Sequence, residues 1–312
     1  MRTPKEYLLL YLKGVSMGGA DVIPGVSGGT IAFVTGIYDE LLNSIKSVDI
    51  ASIRLLLKLK IREFWGKING NFLIVLLAGL VTAWITLAKL MLYLLKNYQI
   101  PTWSFFFGLI VISALLVLRE VKKWKFSSIF LMGLGMVIAY ALTLLAPTTT
   151  PNSLIFVFLA GAIAICAMIL PGISGAFILL LLGKYEFIMT EVFVHYNVAV
   201  FLTFSAGCLT GLLGFSHVLT WVFKNYHDLA VSILAGFMIG FLNKIWPWRQ
   251  VLQYYTNSKG EQTVAFDKSI WPGEFMEVTG QNPQILQAIL FAALGILLVV
   301  GLEKLASSLK TK

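Results

Sequence analysis

Apolar residues run through this chain in long blocks, not in alternation. Six blocks, at about 71–95, 101–118, 127–146, 197–223, 229–246 and 285–302, are long enough to cross about 30 Å of hydrocarbon as helices. A transmembrane β-barrel needs short alternating strands, and residues 72–87 do not alternate. Two further apolar regions are interrupted. Region 8–42 breaks at Pro24-Gly25-Val26-Ser27-Gly28-Gly29, and region 153–190 breaks at Pro171-Gly172-Ile173-Ser174-Gly175. Proline removes a backbone donor and glycine loosens a helix, so both helices must stop there. Each arm, of about 15 residues, reaches about 22 Å at 1.5 Å per residue. That suits a helix that enters, stops near mid-depth and returns, so the pattern predicts two re-entrant helical hairpins.

The broken regions are copies of one another. At an offset of 147, Pro24 falls on Pro171, Gly25 on Gly172, Ser27 on Ser174, Gly28 on Gly175, Gly36 on Gly183 and Tyr38 on Tyr185, while Asp39 falls on Glu186. Further on, Ala78-Gly79 matches Ala206-Gly207 and Gly108 matches Gly236 at an offset of 128, the connector at 43–70 accounting for the change. The reading is one all-α polytopic membrane domain over 1–312, built as a duplication. Residues 1–150 form repeat 1 and 151–312 repeat 2, each a re-entrant hairpin followed by three spans. Each half then crosses the membrane an odd number of times, so the repeats are inverted. Loop charge agrees. With both termini cytoplasmic, inside segments hold 17 of the 24 basic residues, as the positive-inside rule expects.

Composition supports this class. The chain has 312 residues, 58% hydrophobic and only 12% charged, about half the charge of a soluble domain. A soluble enzyme and a nucleic-acid binder are excluded, and the net charge of +9 reflects cytoplasmic loops. Cys166 and Cys208 lie in apolar segments, so no disulfide is expected. Lys13 interrupts the short apolar run after the basic start, and no cleaved signal peptide is expected. In the connector, Ile50, Ile53, Leu56, Leu57 and Phe64 are set among Arg54, Lys58, Lys60 and Arg62. This reads as an amphipathic interfacial helix: a topological anchor, or alternatively a holder of acidic head groups. The loop at 247–284, outside in this topology, contains Trp271-Pro272-Gly273 and reads as a small ordered hairpin of unassigned role.

A helix broken at mid-depth exposes N–H groups that hydrocarbon cannot satisfy. The half-helix after each proline points its positive end at the tip, a setting suited to phosphate or carboxylate. Candidate phosphate-binding residues are Gly25, Ser27, Gly28, Gly29 and Thr30 in the first tip, with Gly172, Ser174 and Gly175 in the second. The alternative is that the glycines serve close helix packing. Ionisable residues within or beside apolar segments are Asp21, Asp39, Lys89, Lys184 and Glu186. Such charges face a cavity or a partner. Asp21, three residues before Pro24, is either a proton-coupling carboxylate or one that holds the tip. Its counterpart is Met168. Asp39 and Glu186 are coupling or gating candidates or interfacial acids. Lys184 and Arg119 are auxiliary basic residues, toward phosphate or as anchors.

Two rivals carry other chemistry. Gly25-Val26-Ser27-Gly28 fits an intramembrane serine hydrolase with His217 as base, although such a dyad needs one serine and the motif occurs twice. A passive anion channel is the other. No metal-ligand motif, Walker A sequence or cofactor signature is found, so neither cofactor nor bound ATP is expected.

Gly18-Gly19-Ala20-Asp21-Val22-Ile23-Pro24-Gly25-Val26-Ser27-Gly28-Gly29-Thr30 followed by Gly36-Ile37-Tyr38, together with Cys166-Ala167-Met168-Ile169-Leu170-Pro171-Gly172-Ile173-Ser174-Gly175 followed by Gly183-Lys184-Tyr185, closely resembles a bacterial membrane family associated with translocation of polyprenyl (undecaprenyl) phosphate. The resemblance spans nearly the whole chain except the 247–284 loop. It implies return of the C55 lipid carrier from the outer to the inner leaflet of the cytoplasmic membrane for reuse in peptidoglycan and other envelope glycans. The partners implied are undecaprenyl phosphate and membrane lipid, with protons as the candidate coupling ion.

Overall fold

The computed structural model describes residues 2–21, 27–145, 150–193, 195–256 and 262–310. It is 77% helical. The first half contains α1 (Pro4–Asp21), α2 (Gly28–Val34), α3 (Tyr38–Lys46), α4 (Ile50–Leu57), α5 (Ile61–Lys67), α6 (Gly70–Asn97), α7 (Gln99–Arg119) and α8 (Phe126–Thr143). The second contains α9 (Leu154–Ile169), α10 (Gly175–Leu181), α11 (Tyr185–Phe193), α12 (Val198–Phe241), β1 (Arg249–Thr256), β2 (Gln262–Ser269), α13 (Pro272–Thr279) and α14 (Ile285–Lys310). Among the described residues α6, α7, α8 and α12 are long and apolar enough to cross a membrane, and α9 and 285–301 are shorter apolar helices. The protein is a helical membrane protein.

Three local outcomes refine the sequence reading. The two helices expected at 197–223 and 229–246 are present as the two arms of α12, which meet at a kink with non-helical backbone at Tyr226 (φ −137°, ψ 45°). Forty-four residues would reach about 66 Å if straight, more than twice the hydrocarbon, and the kink at Tyr226 divides them into a first and a second arm. The same backbone occurs 128 residues earlier at Tyr98 (φ −134°, ψ 50°), where α6 gives way to α7. The connector is not one amphipathic helix but two short ones, α4 and α5, joined at a left-handed Leu59 (φ 57°). The described residues of 247–284 form an antiparallel pair of strands, β1 and β2, followed by α13.

That segment is fastened to the bundle by buried charge. Arg249, only 7% exposed, binds Asp267 through Nε at 2.5 Å, and Lys244 Nζ binds the same carboxylate at 2.9 Å. Burial would raise the Asp267 carboxyl, but the Arg249 and Lys244 partners overcome it and hold it below the usual carboxylate range. Lys244 also sits 5.2 Å over the Phe177 ring of α10.

Helices approach through glycines, and their contacts recur along the chain. α1 packs on α6: a Cβ added to Gly79 would lie 2.2 Å from the Tyr11 carbonyl oxygen, and one on Gly14 would lie 2.3 Å from that of Leu76. α9 packs on the first arm of α12 through the counterparts, Gly207 at 2.1 Å from Phe158 O and Gly161 at 2.6 Å from Phe204 O. α7 meets α14 through Gly108 (2.1 Å from Ala292 O) and Gly295 (2.1 Å from Phe105 O). The second arm of α12 meets α8 through Gly236 (2.2 Å from Met132 O) and Gly135 (2.5 Å from Ile233 O). Every residue in these four pairings has its partner at a fixed offset of 147, 128 or 160.

Contacts this close leave no room for a side chain. Gly236→Val should cost about 1–3 kcal/mol or more through overpacking, and Gly108→Val should cost a similar amount. Thermal unfolding in detergent checks this, with Gly214→Ala, where an added Cβ meets nothing within 4 Å, as the neutral control.

Candidate functional site

The two broken regions meet. α1 stops at Asp21 and α2 begins at Gly28; α9 stops at Ile169 and α10 begins at Gly175. A helix that ends inside a bundle strands its last carbonyls and the next one's first amides. Here the two breaks satisfy one another. Ser27, fully buried, is the N-cap of α2, its Oγ accepting from Gly29 N at 3.1 Å. The same hydroxyl lies 2.9 Å from Met168 O and 3.3 Å from Leu170 O, to which it donates. Tyr38 Oη, at the start of α3, donates to Ile169 O at 3.1 Å. In return the Gly172 N–H donates to buried Thr30 Oγ1 at 2.8 Å. Three consecutive carbonyls of the second break are thus held by hydroxyls of the first hairpin.

Glycine is required where these surfaces touch. A Cβ on Gly29 would lie 2.5 Å from Ile169 O. Gly172 has φ +91° and lies against the α12 backbone at Met238, a conformation and a proximity that a side chain would oppose. Beyond each tip the chain reverses in the same way. Gly36 (φ 70°) and Gly183 (φ 62°) are both left-handed, with the matched bonds Ile37 N to Ala32 O and Lys184 N to Leu179 O. This is the usual glycine helix stop.

The first tip already fills one of its own amides. Asp21 Oδ1 accepts from Gly28 N at 2.7 Å, so a carboxylate occupies the leading amide of α2. The second tip differs. Ser174 is buried, yet its side chain caps nothing at the start of α10, and Met168 stands where the first tip has Asp21.

Of the residues singled out from sequence, Asp21, Ser27, Gly28, Gly29, Thr30 and Gly172 are joined in this network. Ser174 and Gly175 follow it directly, and Gly25 lies outside the described residues, as does the Lys89 side chain. The other four stand apart. Asp39 is exposed in the first turn of α3 and Glu186 half-buried in that of α11. Arg119 is exposed at the end of α7. Lys184 is fully buried, donating to Thr150 O at 2.7 Å and Asn152 Oδ1 at 2.5 Å. The Ser27–His217 dyad is not formed: Ser27 Oγ engages the carbonyls above, and the His217 ring bonds Leu213 O of its own helix at 2.7 Å. Sequence reasoning did not assign Tyr38 to the site, although its match with Tyr185 was the available signal.

A family model described as undecaprenyl phosphate translocase-like matches residues 17–263, which include both tips. The chain belongs to that family. A polyprenyl-phosphate transporter of Vibrio cholerae serotype O1 (strain ATCC 39315 / El Tor Inaba N16961) is 46% identical over 301 residues, covering 96% of this chain and 97% of that protein. A polyprenyl-phosphate transporter of Staphylococcus aureus (strain NCTC 8325 / PS 47) is 32% identical over 254 residues, covering 76% and 85%. No solved structure matches.

The cross-tip bond has a measurable worth. Thr30→Val keeps the shape but strands the buried Gly172 N–H, which should cost about 1–3 kcal/mol. Thermal unfolding in detergent is the check, and Thr35→Val, whose hydroxyl bonds only within its own helix at Ile31 O and Ala32 O, should cost less.

Proposed function

We propose that this chain carries undecaprenyl phosphate from the outer to the inner leaflet of the bacterial cytoplasmic membrane, where the carrier is reused in peptidoglycan and other cell-envelope glycan synthesis. Family membership and the names of its relatives support a polyprenyl phosphate as the cargo. The observation that carries the mechanism is the meeting of two broken helices whose starts, hydroxyls and glycines converge in one buried place.

In this reading each half is a re-entrant hairpin followed by three spans, the halves are inverted about a pseudo-two-fold axis, and both termini are cytoplasmic. The recurrent contacts support it. α7 on α14 and the second pass of α12 on α8 are reciprocal pairings, the exchange that a two-fold relation between halves requires. The lipid monophosphate enters from outside, binds between the tips at the amides of Gly25, Gly28, Gly29, Gly172 and Gly175 and the hydroxyls of Ser27, Thr30 and Ser174, and leaves inward as one repeat rocks against the other. Its isoprenoid tail stays in lipid throughout. Asp39 and Glu186 mark the hairpin ends as gating residues and exposed Arg119 guides the phosphate, while Lys184 is held by Thr150 and Asn152 and fastens the second hairpin.

The carboxylate on Gly28 N gives the cycle a control point. A phosphate oxygen and the Asp21 carboxylate need the same amide and repel one another. Protonating Asp21 weakens its claim on that N–H, so proton uptake and phosphate binding are coupled at this residue.

Two experiments on purified protein in proteoliposomes test the proposal. Ser174→Ala, which removes no cap, should leave thermal stability unchanged while lowering flipping of a fluorescent polyprenyl phosphate by at least about tenfold, the low end of what one hydrogen bond to a charged group, about 1.5–3 kcal/mol, carries. Unchanged flipping in Ser174→Ala and in the Ser27→Ala, Ser174→Ala double variant would sink it. Asp21→Asn should flatten the pH dependence of flipping. A steady anion current across a planar bilayer would favour a channel instead.

A further inference from the structure

The connector between α3 and α6 ends in an apex that neither folding nor water explains. α4 closes at Leu59, where Leu59 N bonds Leu56 O at 2.9 Å and Lys60 N bonds Leu55 O at 2.9 Å. This is the left-handed helix stop that Gly36, Gly183 and Gly280 serve elsewhere in the chain. Here the residue is leucine, strained at φ 57°. Its side chain is 81% exposed, with Leu57 at 78% and Ile61 at 59% beside it. A glycine would make the turn without strain, and a polar residue would suit water.

Charge alternates with these side chains: Leu57-Lys58-Leu59-Lys60-Ile61-Arg62. Three cations in six residues exclude the hydrocarbon core, where each costs at least about 2.5 kcal/mol on insertion scales. Three large exposed apolar side chains equally disfavour open water. The depth that satisfies both is the boundary between phosphates and acyl chains. The base of the finger is set for that level. Lys67 pairs with Asp49 at 2.5 Å, and Trp65, 39% exposed, donates Nε1 to Asn71 Oδ1 at 2.8 Å at the start of α6. Lys60 is paired with Glu63 at 2.9 Å, whereas Arg54, Lys58 and Arg62 have no ion pair among the described residues and are exposed.

We propose that α4 and α5 form a lipid-reading finger that inserts Leu57, Leu59 and Ile61 into the leaflet and holds anionic phospholipid head groups with Arg54, Lys58, Lys60 and Arg62. This does not depend on the phosphate site at the tips.

The test uses the full chain in lipid nanodiscs, with Cys166→Ser and Cys208→Ser, and a nitroxide on Leu59→Cys. Power saturation compares oxygen, which enters lipid, with a water-soluble nickel chelate. In phosphatidylcholine mixed with phosphatidylglycerol the label should be accessible to oxygen and shielded from nickel. Lys58→Gln, Lys60→Gln and Arg62→Gln together should lower the inserted-to-exposed ratio about fivefold per cation, the factor one basic residue contributes at an anionic surface. Leu59→Gly, read from a label at Leu57→Cys, keeps the turn and should reduce shielding. A label as open to nickel as to oxygen in this lipid mixture overturns the proposal and leaves a protein partner for this surface. Shielding unchanged in the triple-glutamine and glycine variants also overturns it, because the apex would then be packed on protein.

Discussion

The organisation of the molecule rests on a need to satisfy broken helix ends where water is absent. Each interruption leaves carbonyls behind and amides ahead, and every such group left bare in hydrocarbon costs several kcal/mol. One broken helix in isolation has no answer to this. Two can answer for each other, and the hydroxyls of Ser27 and Tyr38 on the Met168, Ile169 and Leu170 carbonyls do so, with Thr30 returning the favour to Gly172 N. The electrostatics reinforce the geometry. The carbonyl end of α9 is the negative end of its dipole, and it is met by the cap of a helix whose positive end faces it. Breaking α1 without breaking α9 would therefore cost more than breaking both.

Such a junction needs a rigid frame, because hydrogen bonds of about 3 Å fail if the helices slide by a fraction of a turn. The frame comes from the glycine contacts. Lipid is as apolar as leucine, so hydrophobicity does not drive helices together in a membrane, and close backbone approach must do it. The four recurrent pairings bring backbones into contact at Gly79, Gly108, Gly207 and Gly236. Around the tips the frame is aromatic, with Phe223 of α12 lying 5.7 Å from Tyr38 and 6.2 Å from Phe33. Tyr38 thereby connects the wall of the bundle to the carbonyl of Ile169.

How much of this was legible in sequence depended on the range of the forces involved. Local chemistry was readable: proline and glycine at 24–29 and 171–175 stopped helices, Gly36 and Gly183 turned the chain, and hydropathy marked the long spans. Partner choice was not. That Ser27 would find Met168, 141 residues away, depends on how complete helices pack, and no local pattern encodes it. The same limit hid the division of labour between the tips, since hydroxyls at 27 and 174 look alike in sequence but only Ser27 caps its helix. The division of α12 into two arms was legible too, because its middle is polar at Lys224, Asn225, His227 and Asp228, and the kink falls among them at Tyr226. The connector was read as one helix because its apolar spacing continues through Leu59, where the backbone reverses hand.

The asymmetry at the tips bears on what the site is for. Two identical anion sites facing each other would hold a phosphate equally from both sides and give it no direction. Here one tip keeps its leading amide covered by Asp21, while the other presents a buried hydroxyl, Ser174, with no cap to make. The Asp21 side chain keeps Gly28 N satisfied in a dry interior. In the proposed cycle it stands in for the cargo and sets a threshold, because an arriving anion must exceed what Asp21 already provides. Met168, the counterpart of Asp21, provides no such competition. In the proposed cycle the difference at Asp21 and Met168, which stands beside those at Gly29 and Ala176 and at Thr30 and Phe177, gives the site a stronger and a weaker face, and that makes its two orientations chemically distinct.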